Sequence, residues 1–147
     1  LKIVSPGNTK YISLTGNGIY RPLVLTSSVD SINFGNVFVG TDSASQIAIS
    51  AGGFGGEEII TVTGNSDLFT FSPSSFFLIG GGATEYITIN FQPIDEGTVT
   101  ALLTINSSGG STKTISLVGN GIPLTVQITE EGFYLTSEEN QYLAITE

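Results

Sequence analysis

The sequence predicts an all-β protein built as an antiparallel β-sandwich, and three observations carry that prediction. Apolar and polar residues alternate with period two through much of the chain. Clusters of glycine, serine and asparagine interrupt the alternation at short intervals. No window holds an amphipathic helical stripe, because 19 glycines, five prolines and many β-branched residues break each one.

The clearest strand is Thr84-Glu85-Tyr86-Ile87-Thr88-Ile89-Asn90-Phe91. Ser45 to Ser50 alternates in the same way, and so does Thr98 to Asn106, where Val99, Ala101, Leu103 and Ile105 share one face. Thr112 to Val118 follows with Ile115 and Leu117 on one edge. Such alternation places one face on a core and the other in water. Pro6-Gly7-Asn8, Gly52-Gly53, Gly55-Gly56, Gly80-Gly81-Gly82 and Ser107 to Ser111 supply the turns. Asn106-Ser107-Ser108 matches a glycosylation sequon and reads as part of the last of these turns. Many short strands with regular turns describe a sandwich. Phe34, Phe38, Phe69, Phe71, Phe76 and Phe91 lie in or beside strands and are expected in its core. Each would contribute roughly 1.5–3 kcal/mol by burial.

Composition narrows the chemistry. The 147 residues contain no cysteine, histidine, methionine or tryptophan, which removes disulfides, thiolate or imidazole metal sites, histidine-dependent triads and cysteine nucleophiles. Four basic residues face 13 acidic ones, for a net charge of −9. Lys2, Lys10, Arg21 and Lys113 are too few and too scattered to neutralise a run of phosphates, so no nucleic-acid partner is expected. An anionic membrane surface is disfavoured for the same reason, and no apolar run approaches the roughly 20 residues that span a bilayer. The chain shows no signal peptide and does not start with methionine, as expected of a segment of a longer or processed protein. Its Thr/Ser/Asn/Gly-rich, lysine-poor surface points to an extracellular or cell-surface setting.

The most informative feature is an internal repeat. Thr9-Lys10-Tyr11-Ile12-Ser13-Leu14-Thr15-Gly16-Asn17-Gly18-Ile19 recurs as Thr112-Lys113-Thr114-Ile115-Ser116-Leu117-Val118-Gly119-Asn120-Gly121-Ile122, with nine of eleven positions identical. A strand and a turn precede each copy, and a proline followed by leucine comes after it, at Pro22 and Pro123. The spacing is that of a tandem array of roughly 100-residue modules. Residues 1–19 then read as the closing hairpin of a preceding module. Residues 20–122 form a complete module. Residues 123–147 supply the opening strands of a following module, or a segment exchanged between subunits. A hairpin without its sheet is marginal in water, so head and tail need a partner surface. Strand addition between copies would give a head-to-tail filament. The joining residues expected on this reading are Ile12, Leu14, Gly16, Gly18, Pro22, Ile115, Leu117, Gly119, Gly121 and Pro123. The two Gly-Asn-Gly segments are expected to hold positive φ at each module's exit.

The middle of the chain resembles a known family. Ile32-Asn33-Phe34-Gly35-Asn36-Val37-Phe38-Val39-Gly40 is similar to that family's apolar strand ending in F-G-x-V, then V-G-x. Asp67 to Phe71, the turn Gly80 to Thr84, Ile89-Asn90-Phe91-Gln92-Pro93 with Glu96-Gly97, and the close at Ile115 to Gly121 follow in order. This ordered set resembles the ASH group of immunoglobulin-like domains (the ASPM and Hydin type), including the bacterial "choice-of-anchor D" repeats. It departs from the family where Ala51 to Gly56 replaces an N-x-G turn. The resemblance implies a seven- or eight-stranded sandwich related to MSP and PapD-like domains, with no catalysis. Gly35 and Gly40 would bracket a short strand at a sheet-switching bend.

Acidic residues are the only candidate catalysts. Glu57-Glu58, Asp95-Glu96, Glu130-Glu131 and Glu138-Glu139 are adjacent pairs, which on a strand point to opposite faces and do not share a proton or an ion. They are expected at solvated edges and turns. No cofactor is expected. Calcium is the ion the ligand set favours, with Asp42 and the Asp95-Glu96 turn as its donors. The expected function is thus a non-enzymatic structural or adhesive repeat of a bacterial extracellular protein, forming a stalk or filament with neighbouring modules or copies of itself. The alternative is a carbohydrate- or ligand-binding sandwich using Tyr20, Phe54, Tyr134 and Tyr142.

Overall fold

The computed structural model describes residues 1–19, 21–53, 56–129, 132–136 and 142–144, with side chains described through residue 124. Every regular element among them is a strand. In chain order these are β1 (Lys2–Ser5), β2 (Asn8–Tyr11), β3 (Val24–Ser27), β4 (Ser31–Phe38), β5 (Ser43–Gly52), β6 (Glu57–Gly64) and β7 (Phe69–Ser72). Then come β8 (Ser75–Ile79), β9 (Thr84–Phe91), β10 (Gly97–Ser107), β11 (Thr112–Ile122), β12 (Thr125–Thr129), β13 (Gly132–Thr136) and β14 (Tyr142–Ala144).

Residues 23–122 make the sandwich. One sheet has five strands in the order β4-β11-β10-β6-β8, and the other has four, β3-β5-β9-β7. The nine strands exceed the expected seven or eight; residues 69–79 contribute a short strand to each sheet, β7 to one and β8 to the other. All pairings are antiparallel except β11 with β4, which is parallel. The two-residue alternation turns directly into two faces. Ile47, Ile49 and Ala51 of β5 and Ile87, Ile89 and Phe91 of β9 are buried on the inner face of one sheet. Ile60 and Val62 of β6, Leu103 and Ile105 of β10, and Ile115 and Leu117 of β11 are buried from the other. Phe34, Phe69 and Phe91 pack together, with ring centroids 4.7 Å apart for Phe69–Phe91 and 5.7–5.8 Å for the two pairs with Phe34. Phe38, Phe71 and Phe76 are half-buried.

Two glycine expectations change. Gly35 lies inside β4 rather than at its end, and its φ of 67° belongs to a bulge. There the β4–β11 register slips, so that Phe34 and Gly35 stand opposite Gly119 alone. Gly40 keeps the bend: its φ is 85°, its N–H donates to the Pro93 carbonyl at 2.9 Å, and the chain passes there from one sheet to the other. Gly119 and Gly121 do not hold positive φ. They are inner-face residues of β11, which runs past the expected turn to Ile122, and they are glycines because other groups come too close. A Cβ on Gly119 would lie 2.3 Å from the Phe91 ring, and one on Gly121 would lie 2.2 Å from the Asp95 carbonyl oxygen. Gly16 and Gly18 in the first copy also lack positive φ.

Outside the sandwich, β1 and β2 form a two-stranded sheet joined through Pro6-Gly7, with Gly7 at φ 82°. Each of residues 1–19 is exposed. In the tail, β12, β13 and β14 form a separate antiparallel sheet.

Candidate functional site

The sandwich contains one buried acidic side chain among its described residues, and the sequence placed it in solvent. Glu57 and Glu58 do point to opposite faces: Glu57 is exposed and Glu58 is 4% exposed. The inner positions of β6 run Glu58, Ile60, Val62, so the alternation itself carries the carboxylate inward. Its Oε1 accepts the Leu23 N–H at 3.1 Å. Its Oε2 accepts the Gly109 N–H at 3.1 Å and the Ser107 hydroxyl. Leu23 leads into β3, and Ser107 to Ser111 form the β10–β11 turn, so one carboxylate ties three elements at one pole. Neighbouring bonds reinforce the tie: Leu25 N–H to Ser111 Oγ at 3.2 Å, Ile59 N–H to Ser108 Oγ at 3.1 Å, and Ser108 N–H to the Ile59 carbonyl at 2.9 Å. Both carboxylate oxygens accept from structural donors, which makes this a clamp. The inward phase of β6 was the signal that could have found it.

At the opposite pole, Val39, Ile94, Asp95, Glu96, Pro123 and Leu124 line a shallow depression. Asp95 and Glu96 are both exposed there, beside the exposed Ile94 and Leu124. Among the described residues no group of three acidic side chains comes together that could hold a metal ion, and Asp42 does not line this depression. A second depression on the outer face of the five-stranded sheet is lined by Ser31, Asn65, Thr100 to Leu102 and Ser116 to Val118, with no titratable group.

The expected joining residues divide into two sets. Ile115, Leu117, Gly119 and Gly121 are buried within the sandwich, and Pro123 is half-buried at its end. Ile12, Leu14, Gly16, Gly18 and Pro22 are exposed, Leu14 by 73%. A Cβ on Gly16 or Gly18 would meet nothing within 4 Å. The structure does not bring the two sets together. Of the aromatics expected on the alternative, ligand-binding reading, Tyr20 and Phe54 lie outside the described residues, and Tyr134 and Tyr142 belong to β13 and β14, whose side chains are not described. The Glu130-Glu131 and Glu138-Glu139 pairs lie outside as well.

A sequence profile described as "Abnormal spindle-like microcephaly-associated, ASPM-SPD-2-Hydin" (ASH) matches residues 22–115, more than half of the chain. The chain belongs to the ASH family. The ASH match opens at Pro22, one residue before the buried Leu23, and covers every strand of the sandwich through the first part of β11. No curated protein matches the chain in sequence. Among solved structures, the ASH sandwich is similar to the ASH/PapD-like domain 7 of human CEP192, at 16% identity and a TM-score of 0.62, over 79% of this chain and 99% of that one. It is also similar to the E. coli chaperone DraB, at 10% identity and a TM-score of 0.57, over 86% of this chain and 83% of that one. The periplasmic chaperone SfaE matches at 10% identity and a TM-score of 0.53, over 76% and 70%. At these identities the likenesses establish an ASH/PapD-like sandwich and no more.

Proposed function

We propose that this chain is a non-enzymatic structural repeat of a bacterial extracellular or surface protein. Its sandwiches would join end to end into a stiff stalk or filament, in contact with neighbouring modules or copies of the same protein. The observation that carries this reading is the repeat itself: the strand that closes the ASH sandwich, β11, occurs a second time at residues 9–19, outside that sandwich. Two features support it. The β11 end is held short, by the Val39 N–H on the Ile122 carbonyl at 2.9 Å, and Pro123 follows at once, which limits the swing of whatever comes next. The acidic charge of −9 keeps such an array soluble without closing its modules onto one another.

The test is small-angle scattering on one, two and four copies of the repeat unit, residues 20–122, linked in tandem so that Tyr20 follows Ile122 as it follows Ile19. A stiff array lengthens in proportion to copy number. Growth close to the square root of copy number is the behaviour of beads on a flexible string and would refute the stalk.

A further inference from the structure

The exposed hairpin at the start of the chain carries the same contact residues as β11, and the sandwich shows what each of them is for. In β11, Lys113 pairs with Asp30 at 2.5 Å. Ile115 and Leu117 enter the core. Gly119 admits the Phe91 ring, and Gly121 lies against Pro93 and the Asp95 backbone. Asn120 donates to Asn36 at 2.9 Å and accepts from Thr98 at 3.3 Å. Residues 10–18 repeat all six as Lys10, at the end of the exposed hairpin, and Ile12, Leu14, Gly16, Asn17 and Gly18, in the irregular stretch that follows it. The two differences are Tyr11 for Thr114 and Thr15 for Val118, and both fall on outward positions of β11.

The pairing partner repeats too. Lys113 stands opposite Ile105 and Ile115 opposite Leu103. Lys10 stands opposite Ile3, and Ile12 exchanges both backbone bonds with Leu1 at 2.9 Å. Leu1 and Ile3 therefore occupy the places of Leu103 and Ile105, which are fully buried in the core. Counting on, Ser5 stands where Ser107 binds Glu58. In this structure these apolar residues face water: Leu1 is 68% exposed, Ile3 49% and Leu14 73%.

We infer that residues 1–19 are the docking element for a second sandwich of this same build. The surface they complete carries an aromatic ring against Gly16, a proline and its following backbone against Gly18, an acidic side chain for Lys10, and a buried Glu58-type carboxylate for Ser5. This deepens the tandem reading above and rests on it. The complement of the hairpin is fixed by the register: it is a sandwich equivalent to residues 20–102, which lacks only what residues 1–19 provide.

The test fuses a second copy of residues 20–102 directly to Leu1 of the full chain, so that Leu1 follows Leu102 as Leu103 normally does. The readout is amide hydrogen exchange at Ile12 and Leu14. The expected result is a rise in protection of at least about 10³-fold, to the level of Ile115 and Leu117. Gly18→Val in the fusion should abolish that rise while leaving Ile115 and Leu117 unchanged. A control fuses residues 20–122, which bring their own closing hairpin; it should fold and leave Ile12 and Leu14 fast. If the 20–122 copy folds and the 20–102 copy does not, the docking inference is overturned and the module reading stands. If neither copy folds, both are overturned. Protection that survives Gly18→Val overturns the assigned contact.

Discussion

Replacing Glu58 by alanine tests the packing of the ASH sandwich at its one buried carboxylate among the described residues. The side chain accepts from the Leu23 N–H, the Gly109 N–H and the Ser107 hydroxyl. Bonds to a charged acceptor contribute about 1.5–3 kcal/mol each, but removing the carboxylate also removes the cost of having desolvated it, several kcal/mol. What survives is the state of the donors left behind. The Gly109 N–H keeps an acceptor in Ser107 Oγ at 3.1 Å, and the Ser107 hydroxyl can rotate. The Leu23 N–H, on a residue 1% exposed, loses its Glu58 acceptor and gains none from alanine. One orphaned backbone donor at about 1–3 kcal/mol, plus the space vacated by the side chain, gives a loss of roughly 2–4 kcal/mol. For a sandwich of this size that lowers Tm by roughly 10–20 °C. Urea unfolding followed by far-ultraviolet circular dichroism measures it, since the chain has no tryptophan. Glu58→Gln keeps one carbonyl oxygen and should lose about half as much. Ser107→Ala should cost less in the Glu58→Ala background than alone, by about 1 kcal/mol of coupling. A Glu58→Ala protein within about 0.5 kcal/mol of the parent, or strict additivity with Ser107→Ala, would refute the clamp.

Gly121→Ala forces a Cβ to 2.2 Å from a backbone carbonyl that cannot swing aside, and should destabilise by at least about 2 kcal/mol, read from the urea midpoint; Gly18→Ala meets nothing in the free chain and should cost no more than a few tenths. Asp30→Asn breaks the ion pair to Lys113, but Asp30 is 86% exposed, so stability should stay within about 0.5 kcal/mol and hardly respond to salt. Asn65→Ala removes the acceptor for the Leu102 N–H at 2.7 Å on the sheet's outer face, where water can replace it, and should cost about 1 kcal/mol or less by the same urea measurement.

Much of the fold was legible because an antiparallel sandwich writes its two faces into the sequence. Thr84 to Phe91 alternates without a break and is β9, residue for residue. Thr98 to Asn106 falls one residue short of β10 at each end. The strand at Thr112 was read to Val118 only, because Gly119-Asn120-Gly121 has the composition of a turn. What keeps it in the sheet is long-range pairing with β10 and β4, and what makes it glycine is the closeness of Phe91 and the Asp95 backbone; no local pattern reports either. Glu58 failed for the related reason that an ionisable residue is assigned to solvent by type, while its position on the strand decided otherwise. Gly35 was read as a strand boundary because a bulge and an end look alike from one strand; only the slipped register against β11 separates them. The proposed docking element was legible in a different way. The repeat marked residues 9–19 as a copy of a closing strand, but which copy was already satisfied required the core.

Native-state hydrogen exchange in dilute solution tests the central claim, that β11 is docked in the sandwich while its copy at residues 9–19 is docked on nothing in this chain. The account predicts that the Ile115 and Leu117 amides exchange only with global unfolding, while the Ile12 and Leu14 amides, exposed just beyond the end of β2, exchange within about tenfold of an open chain. Equal protection of the two segments would contradict it.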